Sequence, residues 1–202
     1  RSQKIEKIAT QVFVQKALMS SPHFVEEFGK IAVSILVELF TCKDLPLSTR
    51  QIVAAVLSEL CNGHEEHQTA FRRHGGIEAL RDEVVYKPDE TTENHLYYTV
   101  CIVDLVWSAV VGSKKNVSKF VEGEGLFALL DILETAPKML QGQILGVVAD
   151  LMEYSKVPKM FYQWTSQKSM RGAVHVLVDM WIEEQTERNA LASDGVISNL
   201  ER

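Results

Sequence analysis

Apolar residues recur along this chain every three to four positions, and no stretch alternates in the manner of a half-buried strand. Ile5, Ile8, Ala9, Val12, Phe13 and Ala17 fall on one face of a first predicted helix. Phe24, Phe28, Ile31, Ile35 and Leu39 mark the inner face of a second, which Pro22 opens with Ser21 as its cap. Ser48 and Gln51 have capping-box spacing at the head of a third, with Leu47 placed to staple on Ile52. That helix runs through Val56 and Leu60 to a stop at Asn62-Gly63. The pattern then predicts helices over 65–74, 77–85, 95–111, 116–122 and 126–133. A long helix after Pro137 places Leu140, Ile144, Val147, Val148 and Leu151 on one stripe. A short helix over 158–164 follows, then one striped by Met170, Ala173, Leu177 and Trp181.

Within this pattern one passage occurs twice, 49 residues apart. The first copy runs from Ala70-Phe71 through Gly75-Gly76-Ile77 to Leu80, the second from Lys119-Phe120 through Glu124-Gly125-Leu126 to Leu129. Each copy follows an apolar helical stretch that ends at a glycine, Gly63 or Gly112. A fixed period of this size marks a solenoid, in which each unit buries its core only against its neighbours. Short, medium and long helices divided by glycine and proline make the order of an armadillo unit. The expected fold is an all-α, armadillo/HEAT-like, right-handed superhelical solenoid of stacked helix triplets. N-terminal helices would occupy 1–62, repeats 63–112 and 113–155, and a degenerate repeat 156–202. Gly195, Ile197 and Leu200 repeat the start of a further unit, so the solenoid is expected to continue beyond the end of the chain.

Composition narrows the function classes. With 202 residues, 46% hydrophobic and 24% charged, the chain has the make-up of a folded globular protein. A net charge of −6 argues against nucleic acid as the main partner, because phosphate binding needs a basic surface. The stretch 95–113 approaches membrane-spanning length but carries Asp104 near its centre, which fits a buried helix and no membrane partner. Cys42, Cys61 and Cys101 lie apart in apolar stretches and read as buried thiols of a reducing compartment. The chain opens on Arg1 rather than Met, which suggests a piece of a longer protein.

The segments Gly75-Gly76-Ile77-Glu78-Ala79-Leu80 and Gly125-Leu126-Phe127-Ala128-Leu129-Leu130 look like the second helix of an armadillo repeat, and Ile102-Val103-Asp104-Leu105-Val106-Trp107 resembles its third. A wider ordered series is also present: 57–61, 120–133, Ile144-Leu145-Gly146, and Trp164 with Val176-Leu177-Val178-Asp179-Met180-Trp181. Together these resemble the C-terminal armadillo region of the cilia- and flagella-associated protein sixty-nine family, over about 57–184. The resemblance implies a non-catalytic scaffold of the axonemal central apparatus, needed for motility, in the cytoskeleton of the cilium or flagellum. It implies partners among other axonemal proteins and microtubules, in a large hetero-complex, with no cofactor. The competing class is a cytosolic armadillo adaptor that binds peptides or helical segments in signalling or transport. Peptide-gripping armadillo proteins carry a Trp/Asn ladder on their third helices, and this chain departs from it. Val111 stands four residues after Trp107, and Ser58 stands where a tryptophan would precede Asn62.

Several sharper motifs dissolve on inspection. Cys61, His64, His67 and His74 cluster at a helix end, but the histidines are three apart rather than four, and acidic residues separate them. Cys61 with a histidine lacks an orienting third group for nucleophilic catalysis. The G-x-G-x-x-A run 123–128 follows a helix, whereas dinucleotide binding needs a strand there. Asn116-Val117-Ser118 matches a glycosylation sequon by pattern alone. Arg72-Arg73, Lys114-Lys115 and Lys156 with Lys159 sit at corresponding repeat edges, as solvated helix ends or as a ridge for an acidic partner such as tubulin tails. Gly142 and Gly146 share a helix face and suggest close helix packing, or a partner helix approaching that face.

The expected docking surface lies along the long third helices. Tyr97, Cys101, Asp104 and Ser108 fall on a stripe facing away from Val100, Val103 and Trp107, which are expected in the core. Gln143, Asp150 and Glu153 do likewise on the helix after Pro137, and Ser58 and Asn62 on the earlier one. The stripe is weakly acidic, which points to a helical or basic segment as ligand.

Overall fold

The computed structural model describes residues 22–86 and 93–188. It places ten helices there: α1 Pro22–Thr41, α2 Leu47–Cys61, α3 Glu65–Arg73, α4 Gly76–Glu83, α5 Glu93–Val110, α6 Lys114–Glu122, α7 Gly125–Thr135, α8 Lys138–Leu151, α9 Val157–Gln163 and α10 Ala173–Glu187. The helix expected over 5–17, the Ser21 cap and the echo at 195–200 lie outside the described residues. Among those described, the only strand-like pairing is an isolated antiparallel bridge between Thr165 and Gly172.

The 49-residue period has a local cause that can be read atom by atom. Gly63 and Gly112 end the long helices α2 and α5 in the left-handed region, at φ 73° and 91°. A second left-handed residue joins the short helix to the middle one, Gly75 in the first copy and Glu124 in the second. Phe71 and Phe120 are fully buried beneath the glycine that follows. A β-carbon at Gly76 or Gly125 would stand 2.7 Å from Cδ2 of the ring, so the ring and a bare backbone are needed together.

A polar contact repeats with the same period. Asn116 is fully buried, and its Nδ2 donates to Ala109 O at 2.7 Å, seven residues upstream, and to Gln68 O at 3.0 Å. Its counterpart His67 holds Leu60 O, also seven residues upstream, through Nδ1 at 2.6 Å. Each side chain satisfies a carbonyl orphaned at the end of a long helix. Gln68 Nε2 adds a bond to Ser108 O at 2.9 Å and so ties α3 to α5. Burial of Asn116 also removes it as a glycan acceptor.

The core runs through all ten helices, from Val33, Leu36, Val37 and Phe40 on α1 to Ala173 and Val176 on α10. An ion cluster closes one flank of it. Glu83 bridges Lys43 and Arg50 and accepts from Tyr98 OH at 2.9 Å, while Arg50 lies 5.0 Å over the Tyr98 ring. Burial, then the neighbouring Glu83 carboxylate, pushes the Tyr98 phenol well above its ordinary value.

Several expectations are corrected. On α1 the buried face is Val33, Leu36, Val37 and Phe40, whereas Ile31 and Ile35 point to solvent and Leu39 is half-buried; Phe24 and Phe28 lie outside the described side chains. The Ser48–Gln51 capping box does not form, because α2 begins earlier and Pro46 O already takes the N–H groups of Thr49 and Arg50. Of the cysteines only Cys61 is buried; Cys42 is exposed and Cys101 is half-buried. Met170 stands outside α10, exposed and left-handed at φ 57°, and that helix buries Ala173 and Val176 with Leu177 and Met180 partly covered.

The last described unit departs from the two before it. Where α4 and α7 stand as middle helices, α9 is followed by the loop 164–172. That loop is pinned to α7: Trp164 Nε1 donates to Asp131 at 2.9 Å, and Ser166 Oγ donates to Glu134 at 2.5 Å. Ser166 Oγ also accepts the N–H groups of Lys168 and Ser169, so a buried hydroxyl organises the whole turn.

Candidate functional site

The third helices of successive units lie side by side, with α5 packed between α2 and α8. Side chains on their outer stripe bond across the seams. Ser58 on α2 donates to the Asp104 carboxylate on α5 and lies 2.8 Å from the Ser108 hydroxyl. Gln143 Nε2 on α8 donates to Val100 O on α5 at 3.2 Å. Trp107 Nε1 on α5 donates to Asp150 on α8 at 2.8 Å.

These contacts sort the expected site residues. Tyr97, Asp104 and Asn62 are exposed, and Cys101, Ser108, Gln143 and Asp150 are half-buried. Ser58 is only 4% exposed, so it positions Asp104 rather than meeting a partner itself. Asn62 forms the C-cap of α2 beside Gly63. Glu153 points elsewhere and lines a groove between α6 and α9, with Lys114, Val117 and Tyr154. Trp107 is the residue the pattern misplaced: it is 37% exposed and belongs to this surface, not to the core with Val103. Its spacing of three from Asp104 was the available signal, since such residues share a helix face.

Gly146 explains where the Trp107 ring goes. A β-carbon there would stand 2.7 Å from Cη2, so the indole lies directly on the α8 backbone. Gly142, one turn earlier, is different. Nothing lies within 4 Å of where its β-carbon would be, although an exposed mid-helix glycine costs about 1 kcal/mol relative to alanine. Close packing within the chain accounts for Gly146 and not for Gly142. Gly142 instead floors a groove of about 430 Å³ between α8 and α10, with Leu145, Leu177, Met180 and Trp181. Trp181 is 59% exposed.

Charge is segregated between helix positions. The helices α2, α5, α8 and α10 carry the carboxylates Glu59, Glu93, Asp104, Asp150, Asp179, Glu183, Glu184 and Glu187, against Arg50 and Lys138 alone. Both cations are engaged, Arg50 by Glu83 and Lys138 by Glu184 and Glu187. Asp104 and Asp150 accept from neutral donors, Ser58 and Trp107. The short helices α3, α6 and α9 reverse the balance, with Arg72, Arg73, Lys114, Lys115, Lys119 and Lys159 against Glu65, Glu66 and Glu122. In this basic edge Lys119 pairs with Glu78, and Lys156 with Glu122. The Ser118 hydroxyl, then Lys156, holds the Glu122 carboxyl below its usual range.

The histidine cluster does not assemble into a metal site. His67 is buried against Leu60 O, the His64 ring lies 5.0 Å from it, and His74 caps α3. Among the described residues no group of three or more His, Cys, Asp or Glu is placed to hold a metal ion. Burial pushes the Cys61 thiol up to about 12, which removes nucleophilic character at neutral pH. The glycines at 123–125 join two helices, α6 and α7. No helix among the described residues is long and apolar enough to cross a membrane.

Comparison with known proteins agrees with this architecture. A family model described as "Cilia- and flagella-associated protein 69, ARM repeat" matches residues 35–202. Cilia- and flagella-associated protein 69 of Homo sapiens is 27% identical over 145 residues, which cover 70% of this chain and 15% of that protein. The Mus musculus protein of the same name is 27% identical over 165 residues, covering 75% of this chain and 17% of the relative. The chain thus spans about a sixth of the length of these relatives.

Proposed function

Because the chain belongs to the armadillo-repeat family of cilia- and flagella-associated protein 69, we propose that it is a non-catalytic scaffold of the ciliary or flagellar axoneme. In this reading it sits in the central apparatus, docks other axonemal proteins through its repeat surfaces, and is needed for motility. The unit boundaries that go with it are helices up to residue 62, repeats over 63–112 and 113–155, and a degenerate repeat from 156 onward.

One observation carries the docking mechanism: the outer stripe of α5 and α8 presents two carboxylates, Asp104 exposed and Asp150 half-buried, each fixed by a hydrogen bond from a neighbouring helix. Asp104 and Asp150 are held in place by Ser58 and Trp107, so a partner meets them with little further ordering. Tyr97, Cys101, Ser108, Gln143 and Asn62 complete the surface. Several moderate contacts of this kind along a long partner add up through avidity once the complex assembles.

The test is fractionation of the full-length protein from isolated cilia, by salt extraction followed by mass spectrometry. Retention with the central microtubules, and loss from axonemes that lack them, is the expected outcome. Recovery only from the soluble cell body would overturn the axonemal reading and leave a cytosolic adaptor on the same fold.

A further inference from the structure

We propose that Asp104, Trp107 and Asp150 form a seat for an arginine side chain of a partner protein. The proposal rests on the docking reading above and adds the chemistry the partner must present. The same pattern occurs once inside the molecule with its arginine in place. There Tyr98 on α5 donates its hydroxyl proton to the Glu83 carboxylate at 2.9 Å. Arg50 lies 5.0 Å over the Tyr98 ring and pairs with Glu83, so one guanidinium covers the aromatic and neutralises the carboxylate. Further along α5, Trp107 Nε1 donates to the Asp150 carboxylate at 2.8 Å. An aromatic donor and a carboxylate are again joined, but among the described residues no lysine or arginine pairs with Asp150. Tyr98 is buried, whereas Trp107 is 37% exposed, so the second arrangement is open to a cation from outside.

The surroundings select the same occupant. Asp104 precedes Trp107 by three residues and shares its helix face. Both aspartates accept through Oδ2 from a neutral donor, Asp104 from Ser58 and Asp150 from Trp107. The helices α2, α5 and α8 carry only Arg50 and Lys138 as cations, and Glu83, Glu184 and Glu187 already engage them. Two carboxylates without a paired cation therefore flank one indole. The ring is fixed beforehand by its bond to Asp150 and by the bare backbone at Gly146, where a β-carbon would stand 2.7 Å from Cη2. A guanidinium is flat and spreads its N–H donors over a fork, so it can lie against the indole and donate to both aspartates. The ammonium of lysine is compact and strongly hydrated, and an acidic side chain is repelled.

The experiment uses the full-length protein and a labelled, flexible glycine-serine peptide with arginine at every third position. Counterparts carry lysine, or citrulline, which keeps the shape of arginine without its charge, and binding is read by fluorescence anisotropy. The arginine peptide is expected to bind about threefold more tightly than the lysine peptide and about tenfold more tightly than the citrulline one. Asp104→Asn, which can still accept from Ser58, should weaken arginine binding about threefold while circular dichroism and Tm hold steady. Glu65→Gln, an exposed carboxylate lost from α3, should leave it unchanged. Trp107→Leu should abolish the preference for arginine over lysine, a ratio that a general loss of stability does not mimic. Equal binding of the arginine and citrulline peptides overturns the proposal, as does equal binding of arginine and lysine by the parent protein. Unchanged affinity in Asp104→Asn overturns it too. Each of these failures leaves the scaffold reading to be judged by fractionation. A protein missing from axonemes that still discriminates arginine would sink that reading and keep the seat.

Discussion

The two copies of the 49-residue unit and the unit that follows them solve one problem in different ways. Ahead of α3 and of α6 a left-handed glycine ends the preceding long helix, a buried His67 or Asn116 takes a carbonyl of that helix's last turn, and a phenylalanine lies under the next glycine. The α9–α10 unit has none of these. Phe161 is buried but no glycine follows it at the same distance, Pro158 occupies the start of the short helix, and the middle helix is replaced by a loop built around Ser166. Its last helix leaves Val174, Val178, Trp181 and Ile182 in solvent. What persists is adhesion to the preceding unit, through Trp164 to Asp131 and Ser166 to Glu134. A repeat keeps its period through satisfied turns, and without them it keeps only its contact with the neighbour.

The largest expected effect tests that difference at its core. Phe120→Ala should cost about 3–5 kcal/mol, because the ring fills a closed space under Gly125 and the glycine turn cannot collapse onto the gap. Phe161→Ala in the last unit should cost clearly less, and urea denaturation measures both. An equal loss at the two positions would erase the distinction between well-built and loosely built units.

Next comes the repeated polar contact. Asn116→Ala leaves the carbonyls of Ala109 and Gln68 buried without their donor, a loss of about 1–3 kcal/mol. His67→Ala removes the single bond to Leu60 O and should fall at the lower end of that range. Hydrogen exchange sharpens the result: the last turns of α2 and α5 should open at lower free energy in the respective variants, with α10 unaffected.

The pair Gly146 and Gly142 separates internal packing from a surface left open. Gly146→Ala forces a methyl against the Trp107 ring and should destabilise by about 1–3 kcal/mol. Gly142→Ala should stabilise by about 1 kcal/mol, since alanine is the better helix former and the site is open. Two glycines four residues apart on one helix would then move thermal stability in opposite directions.

Much of this was legible in the sequence, and the failures have a common origin. Helix order and turns could be read because glycine, proline and phenylalanine act locally, and the α8 stripe from Leu140 to Leu151 is buried as its spacing predicts. Facing could not be read where a helix is apolar nearly all round. On α1, Ile31 and Ile35 are as apolar as Leu36 and Val37, and only the positions of α2 and α3 decide which pair is covered. Trp107 was misassigned for a related reason, since an indole large enough for the core can also lie over a glycine on the surface. The stripe proposed for docking was legible as a weakly acidic face. Its division into positioning residues such as Ser58 and available ones such as Asp104 depends on bonds between helices, and periodicity carries no information about those.

The smallest expected effect isolates the turn itself. Gly75 and Glu124 occupy equivalent places, both left-handed, but only glycine adopts that conformation without crowding its β-carbon. Glu124 is exposed, and the turn still supplies its carbonyl to Ala128 N at 3.1 Å. Glu124→Gly should therefore relieve strain without loss of contact. The gain is reduced by the greater freedom of glycine in the unfolded chain, which leaves about 0.5–1 kcal/mol. The reverse change, Gly75→Glu, should cost a similar amount in the first copy, as read by Tm. If neither substitution moves stability, the left-handed residue merely tolerates the turn, and the glycine stops together with the buried His67 and Asn116 set the period.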